Sequence, residues 1–130
     1  MDLNKIVEFA DKDGVLQKTR QRRLFHLADI IVSGEKNGPL SPSPKEIGMI
    51  VAGFDAALLD SIICRIMGFD EEKIPSVKHA LEHTHNGNDH KGIVVGSNNP
   101  SFSGKRIDEI DILPEERFEP HLGWEGHIER

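Results

Sequence analysis

A single cysteine, Cys64, in 130 residues excludes an internal disulfide and any four-cysteine zinc or iron–sulfur cluster built by this chain alone. Such sparing use of cysteine points to a reducing compartment. Nothing approaches the roughly 18 consecutive apolar residues of a membrane span. The N-terminal stretch MDLNKIVEFADKDG lacks the basic start and apolar centre of a signal peptide, so the expected location is the cytoplasm. Net positive charge is missing too. The formal charge of -6 disfavours a nucleic-acid or anionic-membrane surface, which needs clustered Lys and Arg. The one basic cluster, KTRQRR at residues 18–23, reads either as an anion contact or as a solvated approach to a strand. Charged residues make up 29% of the chain without a run long enough to specify a disordered tail.

What remains is a chain of one-domain length with 37% hydrophobic residues, enough to bury a core of its own. NKIVEFA has helical spacing and stops at DKDG. LFHLADIIV is a nearly continuous, β-branched apolar run, the pattern of a strand buried on both faces, and IGMIVAG repeats it. Between them lies a loop, Gly34 to Pro44, whose prolines at 39, 42 and 44 forbid a helix and disfavour a central strand. Asp55 is placed to cap a helix running to Met67 and ended by Gly68. KIPSVKHALEH gives another helix, with Pro75 in its first turn. GIVVG reads as a third strand and RIDEIDILP, by its alternation, as a half-exposed fourth. Residues 113–130 form an ordered tail anchored by Phe118 and Trp124. The expected fold is α/β or α+β, one domain over residues 1–130, with a small mixed sheet of about four strands packed by about three helices.

Candidate site residues follow from polar groups in apolar settings. On a helical wheel of the segment after Asp55, only Ser61 and Arg65 fall in the polar gap, while Asp60 lies inside the apolar arc. Asp60 is therefore expected to be partly buried, and needs a donor, a cation or its own proton. Asp29 shares a strand face with Phe25, Leu27 and Ile31, and His26 shares the other with Leu24, Ala28 and Ile30. Two acids and a histidine can converge on one polar site, or each can be satisfied separately as a structural group. The SGEKNGP loop begins where the first strand ends, the usual place for a ligand in an open α/β sheet. Gly34 and Gly38 allow positive φ, and Glu35 and Asn37 offer side-chain ligands. The loop is neither a P-loop nor a GxGxxG turn, and a plain Asn-Gly turn reads equally well. His79 and His83, at i and i+4, have chelating spacing, with His85 and His90 following, but the helical pair lies away from the apolar side. Cys64 sits mid-helix without an evident activating partner.

The stretch from ADKDGVLQKTRQRR through GFDEEKIP, together with GWEGHIE near the end, resembles the C-terminal part of the family called domain of unknown function 362. The family's D-G-x-x-x-x-E-G-x-G-P loop is similar to Asp29 through Pro39, and its AG-x-D-P-V-A-x-D segment to Ala52 through Asp60. Its MG pair matches Met67 and Gly68, and its GW-x-GHIE matches Gly123 through Glu129. Ile30, Lys36 and Ala56 stand where the family usually has glycine, glycine and proline. The resemblance implies that Asp29, Glu35, Gly38, Asp60 and His127 belong to recurring motifs. It also implies a longer usual chain, so this sequence is either a short version or part of a larger protein. Some members carry iron–sulfur clusters on extra cysteines, which a chain with one Cys cannot hold, and the family supplies no settled activity. Two readings of function stand. In one, Asp29, Glu35 and Asp60 line a pocket for a hard divalent cation such as Mg²⁺ or for a polar small molecule, with or without catalysis. In the other, the domain is an accessory or assembly unit for a partner protein, and the same residues brace it.

Overall fold

A computed structural model of the chain describes residues 2–85 and 88–130. Its framework is one long antiparallel hairpin covered on one side by helices. The hairpin consists of β1 (His26–Asn37) and β2 (Ser41–Gly53), with His26 opposite Gly53 and Asn37 opposite Ser41. The helices are α1 (Asp2–Phe9), α2 (Ala56–Met67) and α3 (Pro75–His85). α2 packs against β2 on one side and α3 on the other.

The two apolar runs thus form strands as expected, but they pair with each other through a tight turn and do not lie parallel in a wider sheet. The segment expected to be a loop is strand almost throughout, because the two prolines inside β2 need not interrupt the ladder. Lys36, opposite Pro42, donates its N–H outward to the Glu119 carbonyl at 3.0 Å. Its pair is therefore of the kind that exchanges no hydrogen bonds, and Pro42, like Pro44 two residues on, lacks a donor only on the outer edge. The register slips once, where Ile31 faces both Ile47 and Gly48, the latter left-handed at φ 71°.

α2 matches its expected limits. Asp55 caps it, accepting from the Ala57 and Leu58 N–H groups at 3.0 and 3.1 Å, and Gly68 closes it in the left-handed conformation. α3 begins at Pro75, and it buries Val77 and Leu81. The core lies between these helices and the C-terminal segment, joining Ala57, Cys64, Phe69, Val77 and Leu81 to Phe118 and Ile128.

Two expectations are corrected and a third is refined. Of about four strands, two form among the described residues: GIVVG contributes only the isolated bridge of Val94 with Arg106, and RIDEIDILP folds into a 3₁₀ turn at Ile107–Glu109. The turn wins because it buries Ile107 and Ile110 three residues apart, while the Glu109 carboxylate accepts the Arg106 N–H at 2.9 Å. The tail is anchored by Phe118 and Ile128, not Trp124, which is 47% exposed. Its bonds go to the end of α2: Phe118 N–H to the Met67 carbonyl, Asp70 N–H to Ile128 and Arg130 N–H to Gly68. Finally, the basic cluster is exposed throughout, as a solvated approach to β1 would be, but its arginines also make contacts within the chain. Arg20 pairs with Glu8 and Asp55, Arg22 donates to the Val7 and Ala10 carbonyls at the end of α1, and Arg23 lies over the Phe54 ring.

Gly68 joins helix end and tail, since a Cβ there would lie 2.5 Å from Arg117 Cγ in addition to adopting φ 77°. Gly68→Ala is expected to cost at least about 1–2 kcal/mol from the left-handed backbone alone. Urea denaturation should show that loss, and an unchanged midpoint would remove Gly68 from this role.

Candidate functional site

The hairpin and α2 position every acid singled out by sequence, and they set them apart. Asp29 lies exposed on the outer face of the hairpin, its carboxylate accepting the Ile31 N–H at 3.0 Å. Glu35 is six residues further along β1, about 20 Å at ~3.3 Å per residue. It is largely buried and bound within the chain: its carboxylate lies 3.2 Å from Lys45 Nζ and accepts the Glu119 N–H at 3.0 Å. Lys45 in turn donates to the Arg117 carbonyl at 2.7 Å and sits over the Phe118 ring. Glu35 is thus a brace that fastens the tail to the hairpin. Burial pushes its carboxyl up, but the Glu119 N–H and the Lys45 ammonium outweigh that and hold it below its ordinary value.

Asp60 is on α2, and the wheel placed it wrongly. Asp60 is exposed, whereas Ser61 and Arg65, expected in the polar gap, are buried. The cause is that α2 is enclosed on several sides, so its apolar arc does not pick out a single buried face. Arg65 is tolerated inside because Glu71 is there too: its Nε donates to Glu71 Oε1 at 2.9 Å, its Nη2 binds the same oxygen, and Nη1 reaches the Asp108 carbonyl at 3.3 Å. Although Asp60 is open to solvent, desolvation by the protein flanking it pushes its carboxyl up, and a charge interaction with His26 offsets this in part. The structure therefore brings Asp60 toward His26 but brings neither Asp29 nor Glu35 to them.

The remaining candidates are dispersed as well. Gly34 and Gly38 do not take positive φ, and Lys36, at φ 67°, does. Gly34 is needed for another reason: a Cβ there would lie 2.7 Å from the Cβ of Pro42 across the ladder. Asn37 and Gly38 are exposed at the hairpin turn, and His127 is exposed in the tail, its N–H bonded to the Trp124 carbonyl. His79 and His83 face each other edge-on with ring centres 4.9 Å apart, on the exposed side of α3. The His85 side chain lies outside the described ones, and His90 is buried. Among the described residues no group of three or more His, Cys, Asp or Glu is placed to hold a metal ion. Cys64 is buried and its thiol is pushed up to about 12, chiefly by burial, so it is no nucleophile at neutral pH.

Two overlapping surfaces that sequence reasoning did not single out are the larger features, sharing Ile31, Ile50 and Phe54. The outer face of the hairpin is apolar and uncovered: Phe25, Leu27, Ile31, Ile50 and Phe54 are 60, 61, 48, 59 and 50% exposed. Phe25 and Phe54 stack edge-on at 5.2 Å, and Leu27 and Asp29 pair across the ladder with Ala52 and Ile50. A groove of about 660 Å³ runs along the free edge of β2, floored by Leu58, Leu59, Ile62 and Ile66 of α2. Its charged lining residues, Arg20 and Asp55, pair at 2.7 Å. The signal for the first surface was present: β1 alternates apolar residues onto both of its faces, and a single helical layer covers one.

Comparison with protein-family models, with curated proteins and with solved structures finds no match for this chain. No helix among the described residues is long and apolar enough to cross a membrane.

The two acids give opposite pH signatures. The folded pKa of Glu35 lies below its ordinary 4.5, so its contribution to stability is complete above that value and is lost as pH falls through the folded pKa. Glu35→Gln should cost roughly 1–3 kcal/mol near neutrality, by leaving Lys45 and the Glu119 N–H poorly paired, and the deficit should shrink in acid. Asp60, whose folded pKa lies above its ordinary 3.8, disfavours the fold when ionised. Asp60→Asn should therefore raise the melting temperature at neutral pH, with the gain fading as pH falls toward 3.8. Melting curves of the three proteins across this pH range check both signs, and a destabilised Asp60→Asn would contradict the second.

Proposed function

We propose that the chain is an assembly domain: a folded unit that presents the outer face of its hairpin to a partner protein and carries no chemistry of its own. The observation that carries this is the row of five large apolar side chains, each about half exposed or more, on one continuous sheet face. Soluble monomers seldom expose contiguous apolar patches of this kind, and those that do use them for binding. The total area supports the same reading. A compact 14.5 kDa monomer exposes roughly 6,900 Å², while this chain exposes 8417 Å². The surplus, about 1,500 Å², exceeds the ~800 Å² that each partner gives to a standard interface.

The alternative, an acid-lined pocket for a hard cation or polar ligand, draws less support because Glu35 is already satisfied by Lys45 and Glu119 and lies far along the strand from Asp29. Kinship with the domain of unknown function 362 belongs to the same proposal. Its motif residues Glu35, Gly38 and Asp60 then serve the hairpin brace, the turn and the exposed flank of α2.

Phe25→Ser with Leu27→Glu should leave the unfolding free energy within about 1 kcal/mol of the parent's, as exposed substitutions do. The same pair should abolish binding of a hydrophobic dye and concentration-dependent self-association, read by fluorescence and light scattering. Loss of stability on the scale of a core substitution, with dye binding unchanged, would show that this face is not free, and would overturn the proposal.

A further inference from the structure

β2 has an outer edge that no strand covers. Among the described residues, no backbone hydrogen bond joins Gly48–Gly53 to any segment but β1. Alternate N–H and C=O groups along this stretch therefore point away from the hairpin without a main-chain partner. Beyond the edge lie two adjoining grooves, about 660 and about 770 Å³, which share Met49, Ile66, Asn99 and Phe102. Together they follow β2 from Lys45 to Gly53, about 26 Å of strand at ~3.3 Å per residue.

The far wall of the first groove is also backbone. Segment 93–99 is tied on one side by the Ile107 N–H to the Ile93 carbonyl at 2.9 Å and by the Val95 N–H to the Lys105 carbonyl at 2.8 Å. Val94, between these bonds, pairs with Arg106 as the kind of residue whose own N–H and C=O face the other way. The site is thus long and narrow, with main-chain groups available along it and an apolar floor supplied by α2.

We infer that the outer edge of β2 takes an added strand: an extended segment of a partner protein, apolar where it passes over α2 and basic where it passes Glu46, Glu115 and Glu116. Strand addition uses such an edge for affinity and the floor beneath it for selecting alternate side chains. The charge pattern gives polarity. Arg20 and Asp55 neutralise each other at one end; at the other, Lys45 is taken by Glu35 and Asp111 by Arg117 and Arg130, which leaves Glu46, Glu115 and Glu116 against Lys105 and the end acidic on balance. Pro42 and Pro44, by removing donors from the outer edge near the turn, confine pairing to the Lys45–Gly53 stretch. The inference rests on the assembly reading and names the chemistry of the partner.

The test is fluorescence polarisation with the purified chain and labelled eight-residue peptides of alternating Val and Thr, carrying two lysines at one end or the other. One of the two should bind saturably and slow amide exchange at Gly48–Gly53. The same peptide methylated on alternate backbone amides should bind at least about tenfold more weakly, since only main-chain pairing is removed. Glu115→Lys with Glu116→Lys, both exposed, should weaken the lysine-bearing peptide about two- to fivefold per charge at low salt. Equal binding of the methylated peptide, binding of a free fatty acid but no peptide, or no binding at all would overturn strand addition. Phe25→Ser with Leu27→Glu keeps the two readings apart, because neither side chain lines either groove, and the one lining residue that Phe25 touches is Phe54 at the far end of the first. If that variant loses dye binding and self-association while no peptide binds the parent, strand addition fails and the assembly face stands. If it changes neither property while the peptide still binds and protects Gly48–Gly53, the hairpin face fails.

Discussion

The ion pair between Arg65 and Glu71 is the constraint around which the helical layer is arranged. Both groups are buried, and taking two charges out of water costs several kcal/mol per ion before their attraction is counted. The geometry that offsets this cost fixes three pieces of chain at once. Arg65 belongs to α2, Glu71 to the 3₁₀ turn after it, and the Asp108 carbonyl, which takes a further guanidinium N–H, to the turn that buries Ile107 and Ile110. Removing either ion would leave the other charged and unpartnered inside, which is why such pairs are destructive to break even when they add little net stability.

With α2 held from that side, its other flank is free to carry the hairpin. The result has two layers only. Helices cover one face of a two-stranded sheet, and nothing within the described chain covers the other. Isolated two-stranded sheets are marginal in water, and this one persists because its inner face rests on α2 and its turn end is fastened by Glu35 and Lys45 to the tail. The same fastening explains the lowered Glu35 carboxyl: the group that looked like a ligand is spent on structure.

How much of this was legible in the sequence depended on how local each feature is. The limits of α2 and α3 followed from Asp55, Gly68 and Pro75, because caps and breakers act on their nearest neighbours. The sequence pattern shows two strands with a proline-rich loop between them and hides the hairpin, because which ladder positions need a donor is settled only by the partner strand. Asp60 and Arg65 exchanged roles for a related reason. A helical wheel assumes one buried side, and α2 has several, so the polar residue that goes inside is the one with an ion partner in a neighbouring turn. RIDEIDILP alternates like a strand, yet Ile107 and Ile110 have the spacing of a helical turn, and only the surrounding core decides between the two periods.

The dispersal of the acids bears on function more directly than any one of them. A cation or polar-ligand site needs its carboxylates within a few ångströms of a common point, and six residues of extended strand separate Asp29 from Glu35 on a backbone that cannot fold back without losing its ladder. No rearrangement short of unpairing β1 from β2 would bring them together. The apolar residues, by contrast, are already assembled. Phe25 packs on Phe54, and Leu27 and Ile50 sit on the same face of the ladder opposite Ala52 and Asp29, so the face they form is preorganised and a partner that covered it would have little ordering of this surface left to bear. Asp29, alone among them, keeps the face from being indiscriminate. Its carboxylate has one backbone N–H, from Ile31, and covering it without a further donor would leave a charge poorly satisfied, which favours partners that bring one.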